Sequence, residues 1–588
     1  MEKYVYIVTL HEQKDLEQFY IDMQDAGYQI KMKRPISRNT HYYLTNEEAA
    51  NVKNDQRVWD VVREDIISFK SHYFSNWNNY LLSSEDFWKD DTVGSATVSS
   101  YDRQWGHLHC AGNATQQGKG TFGSINRGGT VEYKSGETVD IFNDGTGVDV
   151  IICDDAISYD AAEFEDSNSV QRMQQYQWFT DLNATVASID DDGEILPTGT
   201  IVYHDTATVP GYHGMHVTGT VAGQHYGWAK NANIYNIAVT SAWSSGQYIG
   251  GLLIHDYIRA FHREKSRTGS ALYSPRPRPT ISNHSYGSIY YCVNHNDGNG
   301  RQLQLQDLTS VTYRGNTYTS GNPGPAGAWT EAALEAAYGI RFGLAAFPVY
   351  SAAVAADVQD AIADGIVTIG AAGNDNMLIA EINDQDWNNQ INCNFEDPEG
   401  VPFNATIYYC RGAAPASPDS GQIIVGALDN HADQRRASFS QYGPGVDIYA
   451  PGVMILSSYN SSSPLTDFKY GGSNYYYVAN GTSMASPQVC GIIACHATDK
   501  PRFDQNEAYR VIQKTHLLDD MTFDTGTGSF DDATSSQGSY NAQMMCKRTR
   551  PDNGLINDNA GKRKTREVNR GSQNKTLLYP RSKTFFSG

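Results

Sequence analysis

The sequence predicts an α/β protein: a mostly parallel sheet with helices on both faces, preceded by a small α+β unit. Three observations carry this. Apolar strand candidates alternate with small-residue helices over most of the chain, the pattern of a sheet covered on both sides. Hydrophobic residues make up 40% of the 588 and charged residues 19%, enough for a large core and too little charge for a disordered chain. The 8 cysteines are too sparse for a disulfide scaffold, so the fold must stand on its core.

In chain order, residues 1–70 come first. Tyr4 to Leu10 reads as a strand by its β-branched and aromatic content. Asp15 to Ala26 sets Leu16, Phe19, Tyr20 and Met23 on one helical face, and Gly27 stops it. Tyr28–Lys33 and His41–Leu44 read as strands. Asn46–Asn54 reads as a short helix, capped by Thr45 with Glu48 three residues on. Val58–Arg63 completes a βαββαβ order, which is ferredoxin-like.

Residues 71–100, rich in Ser, Asp and Asn, read as a linker. Residues 101–525 carry the main sheet, with strand candidates at Val148–Cys153, Ile234–Val239, Thr280–Asn283, Ile366–Ala371 and Ile423–Val425. Ala352–Ala363 reads as a helix ended by Asp364-Gly365. Residues 288–350 read as an insertion, in which Val311–Tyr318 forms a surface hairpin. Residues 526–588 read as irregular, passing into a basic tail. From Asn541 on there are 11 Lys+Arg against 3 Asp+Glu, which leaves 34 and 63 before it.

That balance sets limits on partners. The formal net charge of −21 argues against nucleic acid as a partner of the body, since phosphate binding needs a basic surface. The longest apolar run, Phe342 to Ala356, is broken by Pro348 and too short to span a bilayer. The segment from Met1 to Ile7 lacks the basic, apolar and small-residue regions of a standard secretory signal. Localisation stays open among cytoplasm, a virus particle and non-standard export.

The chemistry gathers in three segments. Asn480-Gly481-Thr482-Ser483-Met484-Ala485 puts a serine on a turn opening an apolar helix. There its hydroxyl meets the positive end of the helix dipole, and its own N–H can face a developing oxyanion. Alone, such a serine is equally a helix cap. Val148 to Asp154 places a carboxylate at the end of a buried strand, where α/β sheets put their sites. His213-Gly214-Met215-His216 starts a small-residue helix with a histidine. Each alone has a structural reading; Asp, His and Ser in that order on those elements point to nucleophilic catalysis.

At these residues the chain resembles the subtilases, the subtilisin-type serine proteases. The Asp…His…Ser order is the family's own. The resemblance implies a subtilisin-like fold with Ser483 as nucleophile, His213 as general base and then acid, and Asp154 orienting the imidazole. Gly370-Ala371-Ala372-Gly373-Asn374 is similar to the family's oxyanion segment, implying that Asn374 donates its amide N–H to the tetrahedral oxygen. Ser285-Tyr286-Gly287 and Ser245-Gly246-Gln247 resemble the two strand edges that hold an extended peptide substrate by backbone pairing. Ser440–Pro444 and Ala450-Pro451-Gly452 resemble core turns of the family.

The departures are few. Ala156 stands where a glycine is usual, and Asp155 competes with Asp154 for the triad role; strand alternation favours Asp154. Met215 replaces a usual Thr and Gln488 a usual His. The stretch between Asp154 and His213 is long and holds Asp190-Asp191-Asp192-Gly193-Glu194, which suits either a structural calcium or a solvated acidic turn. The chemistry itself implies no cofactor.

The N-terminal unit resembles the inhibitory propeptides of subtilases, and Arg103-Gln104-Trp105-Gly106 resembles a mature start. The implied protein is a self-processing serine endopeptidase zymogen whose partners are a protein or peptide substrate and its own propeptide. The alternatives are a permanently attached ferredoxin-like domain, an inactive subtilase-fold scaffold or binding protein, and an esterase using the same triad. Cys393 and Cys410 flank a hairpin and are candidates for a disulfide. Cys153, Cys490 and Cys495 read as small core residues.

Overall fold

The computed structural model describes residues 3–64, 68–71, 106, 110, 143–186, 188–189, 196, 199–209, 212–224, 226–239, 248–291, 303–342, 346–396, 402–428, 436–459, 468–470 and 474–515. The linker after residue 71, the acidic stretch from Asp190 and the basic tail lie outside these residues.

The N-terminal unit runs β1 (Tyr4–Leu10), α1 (Leu16–Asp25), β2 (Gln29–Lys33), β3 (Asn39–Leu44), α2 (Asn46–Val52) and β4 (Val58–Arg63). Its antiparallel sheet has the order β4-β1-β3-β2, extended at the β2 edge by a strand at Ser188–Ile189. Thr45 and Glu48 form the capping box the sequence predicts, with Glu48 N to Thr45 Oγ1 at 3.2 Å and Thr45 N to Glu48 Oε2 at 2.7 Å. Leu16, Phe19, Tyr20 and Met23 bury one face of α1 against Val8, Tyr42 and Leu44 of the sheet. The unit therefore has its own small core. A further strand, β5 (Ser68–Ser71), leaves it for the body of the protein.

The body is built on six parallel strands: β6 (Asp149–Asp154), β7 (Asn233–Ala238), β8 (Thr280–His284), β9 (Val367–Ala371), β10 (Ile423–Leu428) and β11 (Ile448–Pro451). Their spatial order is β11-β10-β9-β8-β6-β7. Five match sequence candidates. The sixth corrects one: Ala450 and Pro451 are not in a turn but end an outer strand paired with Ala427 and Leu428. A proline is tolerated there because an outer strand has a side without a ladder partner.

Successive residues of β6 feed two cores. Val150 and Ile152 pack with α3 (His213–Ala222) and α4 (Thr482–Ala497) on one face. Ile151 and Cys153 pack with Trp178, Phe179, Tyr257 and Phe261 on the other. This two-sided burial is why the strands read as continuous apolar runs rather than alternating ones.

Two additions surround that sheet. Leu308–Tyr313 and Asn316–Tyr318 make the predicted hairpin, turned at Arg314-Gly315. It joins Gln390–Glu396 and Pro402–Tyr408 in a four-stranded antiparallel sheet with a third core. Cys393 lies inside that sheet opposite Ala405 and Cys410 lies beyond it. Both are buried and no disulfide joins them, so the candidate pairing is not made. Among the described residues no helix is long and apolar enough to cross a membrane.

Candidate active site

Asp154 is the last residue of β6 and His213 the first of α3. Gly214 lets them meet: a Cβ on it would lie 2.7 Å from the carbonyl oxygen of Asp155. His213 Nδ1 lies 2.6 Å from Asp154 Oδ1, and both side chains are buried. An ionised carboxylate only accepts, so Nδ1 carries the proton and Nε2 is the basic nitrogen. Asp154 Oδ1 also accepts from the Asp155 N–H at 2.8 Å. Burial pulls the His213 pKa down, but the charge and hydrogen bond of Asp154, with the charge of Asp155, raise it above the usual value.

Ser483 is the second residue of α4 and wholly buried. Its Oγ donates to the carbonyl of Ser285 at 3.0 Å, and Ser285 Oγ donates back to the Ser483 carbonyl at 3.1 Å. Pro487 explains the second bond. Four residues on from Ser483, it has no N–H to give to that carbonyl, and the Ser285 hydroxyl takes the vacant place. Ser486 Oγ to Asn283 Oδ1 at 2.8 Å and Asn283 Nδ2 to Ser285 Oγ at 2.9 Å fasten the helix start to the end of β8.

Asn374 follows β9 by three residues. Gly373, at φ +109°, makes the turn and gives its N–H to Thr482 Oγ1 at 3.1 Å. The Asn374 Oδ1 accepts from Thr482 N and Thr482 Oγ1, both at 2.9 Å. These bonds fix the amide so that Nδ2 is a buried donor without a partner among the described residues. It stands next to the Ser483 turn.

Ser285, Tyr286 and Gly287 lie at the edge expected for substrate. The strand Tyr286–Tyr291 pairs antiparallel with β5, Tyr286 opposite Ser71 and Gly287 opposite Lys70. The Tyr286 side chain faces inward, its hydroxyl 3.0 Å from His284 Nδ1, so this edge offers backbone. Ser245, Gly246 and Gln247 lie outside the described residues.

Sequence reasoning missed two contributors, Thr482 and Asn236, and gave Asp155 no part beyond competing for the triad role. Thr482 aims Asn374; Asn236 Nδ2 reaches the carbonyls of Ile152 and Asp155, both at 3.1 Å, and steadies the β6 end; Asp155 itself sits buried beside the imidazole. The Thr beside Ser483 was visible as a polar neighbour, whereas Asn236 had no local signal. The usual His replaced by Gln488 is also accounted for: its Oε1 accepts from Trp228 Nε1 at 2.6 Å, a structural bond.

The chain is thus an α/β protein whose parallel sheet ends at an acid–imidazole pair, with a helix-start serine bonded to the end of β8 and an amide held by the residue before that serine. The chain belongs to the subtilase family, whose sequence model matches residues 145–539, about two thirds of it. It is 27% identical over 335 residues to the subtilisin-like serine protease Pen ch 18 of Penicillium rubens, covering 57% of this chain and 46% of that protein. To the subtilisin-like serine protease pepC of Aspergillus niger it is 25% identical over 356 residues, covering 60% and 47%. The chain thus spans about half the length of these curated relatives. Fervidolysin of Fervidobacterium pennivorans, a keratinolytic enzyme related to subtilisin, superposes with a TM-score of 0.46 at 16% identity, covering 96% of this chain and 61% of that one. At that score the superposition adds nothing to the assignment.

Proposed function

We propose that this protein is a serine endopeptidase made as a self-processing zymogen. The observation that carries the reading is the 2.6 Å contact of His213 Nδ1 with Asp154 Oδ1 at the C-terminal end of β6, beside the end of β8 where Ser285 bonds Ser483. Ser483 Oγ gives up its bond to Ser285 and attacks the scissile carbonyl as His213 Nε2 takes its proton. The oxygen becomes an oxyanion facing Asn374 Nδ2 and the Ser483 N–H. Collapse expels the amine, which leaves with the proton from His213; water then hydrolyses the acyl-enzyme by the same route. Side chains and backbone supply every group this chemistry needs.

The β5 pairing supports the zymogen reading. Its register runs from Ser68 opposite Ile289 to Ser71 opposite Tyr286, so the chain heads toward Ser285 and Ser483 as a substrate strand does. A fluorophosphonate probe tests the nucleophile: labelling of wild type and not of Ser483→Ala supports it, and equal labelling of both refutes it.

A further inference from the structure

We propose that Asp155 is a positioning residue for His213: its buried carboxylate stabilises the imidazolium that forms as Ser483 loses its proton. It also sets the pH at which the imidazole becomes available as a base. The inference rests on the triad reading above and gives a role to an acidic group at the site which that reading leaves unused.

The geometry is built rather than incidental. A carboxylate oxygen of each of Asp154 and Asp155 and a ring nitrogen of His213 lie within 4.8 Å of one another, and all three residues are buried. Asp155 is held by its backbone: its N–H goes to Asp154 Oδ1 at 2.8 Å and its carbonyl accepts from Asn236 Nδ2 at 3.1 Å. Gly214 brings the first turn of α3 against that same carbonyl. The second carboxylate is therefore fixed against the helix start that carries the imidazole.

A compensating charge has a physical purpose there. His213 begins a helix, where the dipole disfavours a cation, and burial disfavours it further. Asp154 opposes both, and Asp155 adds to it from a second direction. Burial holds three nearby titratable side chains toward their neutral forms. His216, one turn on, is pushed down to about 3 and accepts no proton at working pH. Burial raises the Cys153 thiol and the Tyr286 phenol well above their usual ranges. The balance at His213 is thus set by two carboxylates, one in contact and one beside it.

The test compares wild type, Asp155→Asn and Asp155→Glu on a peptide substrate between pH 4 and 10. Asp155→Asn should move the acid limb of kcat/KM down by about 1 unit, the lower end of what an opposite charge within ~4–6 Å does. Its plateau kcat should fall by under tenfold, and Asp155→Glu should restore the limb. An unmoved limb overturns the proposal, as does a limb that Glu fails to restore. NMR titration of His213 in a Ser483→Ala background reads the same shift without turnover. It separates the two claims: a shifted His213 with no fluorophosphonate labelling of wild type refutes the protease reading, and an unshifted His213 in a labelled enzyme refutes the role of Asp155.

Discussion

At the scale of single residues, neighbours with the same chemistry are divided by a few tenths of a nanometre. Asp154 touches the imidazole and Asp155 stands beside it. Asp154→Asn should cost roughly 10⁴ in kcat, because an amide in place of the carboxylate favours the wrong tautomer of His213. Asp155→Asn should cost under tenfold, and steady-state kinetics of the pair gives the ranking; the reverse order would put the triad carboxylate one residue on. Asn374→Ala should lower kcat by about 10²–10³ with little change in KM if, as proposed, its unpartnered Nδ2 donates to an oxygen charged only in the transition state. A loss confined to KM would make Asn374 a subsite residue. Ser483→Ala should remove on the order of 10⁶ of turnover.

At the scale of elements, the turn between β2 and β3 binds the N-terminal unit to the body. Arg34 is fully buried between two helices, with Nε 2.9 Å from Asp256 of Ile254–Glu264 and Nη2 2.7 Å from Asp357 of Ala352–Ala363. Ser37 donates to Asp357 at 2.6 Å, Arg38 reaches Asp360 at 3.1 Å, and Asn39 Nδ2 reaches the Ala353 carbonyl at 2.8 Å. Arg34→Met leaves two carboxylates buried without their cation, a loss of about 3–5 kcal/mol. In a Ser483→Ala background it should expose residues 1–71 to an added protease that spares the parent; equal resistance would show the unit held by its apolar contacts. This contact was illegible in the sequence. Arg34 is 222 residues from Asp256 and 323 from Asp357 in the chain, and each reads as a surface charge. The βαββαβ order was legible because it is written in local periodicity and one capping box. The strand ending in Pro451 was not, because its pairing is set by a distant partner and its proline reads as a turn.

At the scale of the whole molecule, β5 is the arm by which the small unit pairs with the strand Tyr286–Tyr291 of the large one. Wild-type chain should cut itself between about Phe69 and Arg103, and the direction of β5 puts that cut beyond Ser71. Ser483→Ala should stay full length. Mass spectrometry of the new N-terminus checks the position, and a rate unchanged on dilution shows that the cut is made in cis. Wild type that stays intact while cleaving an added substrate would make the N-terminal unit a permanent domain. The three segments that bear the proposed triad were legible at this scale because each lies on an element whose type follows from its own residues. The cleft geometry was not, because Ser285, Thr482 and Asn236 acquire their parts only through contacts between strands far apart in the chain.

The buried Arg34 has a kinetic corollary for such a zymogen. While one chain joins the two bodies, each faces the other at an effective concentration of the order of millimolar, and detachment is followed by immediate return. Cutting the connection removes that guarantee without loosening any contact, so the severed unit leaves only as fast as a desolvated guanidinium can part from two carboxylates. Scission and onset of activity are then separate events with a delay between them. On the zymogen reading, the strength of Arg34's seat would set the length of that delay and dilution would make the departure permanent, so that the interface would work as a timer that runs once.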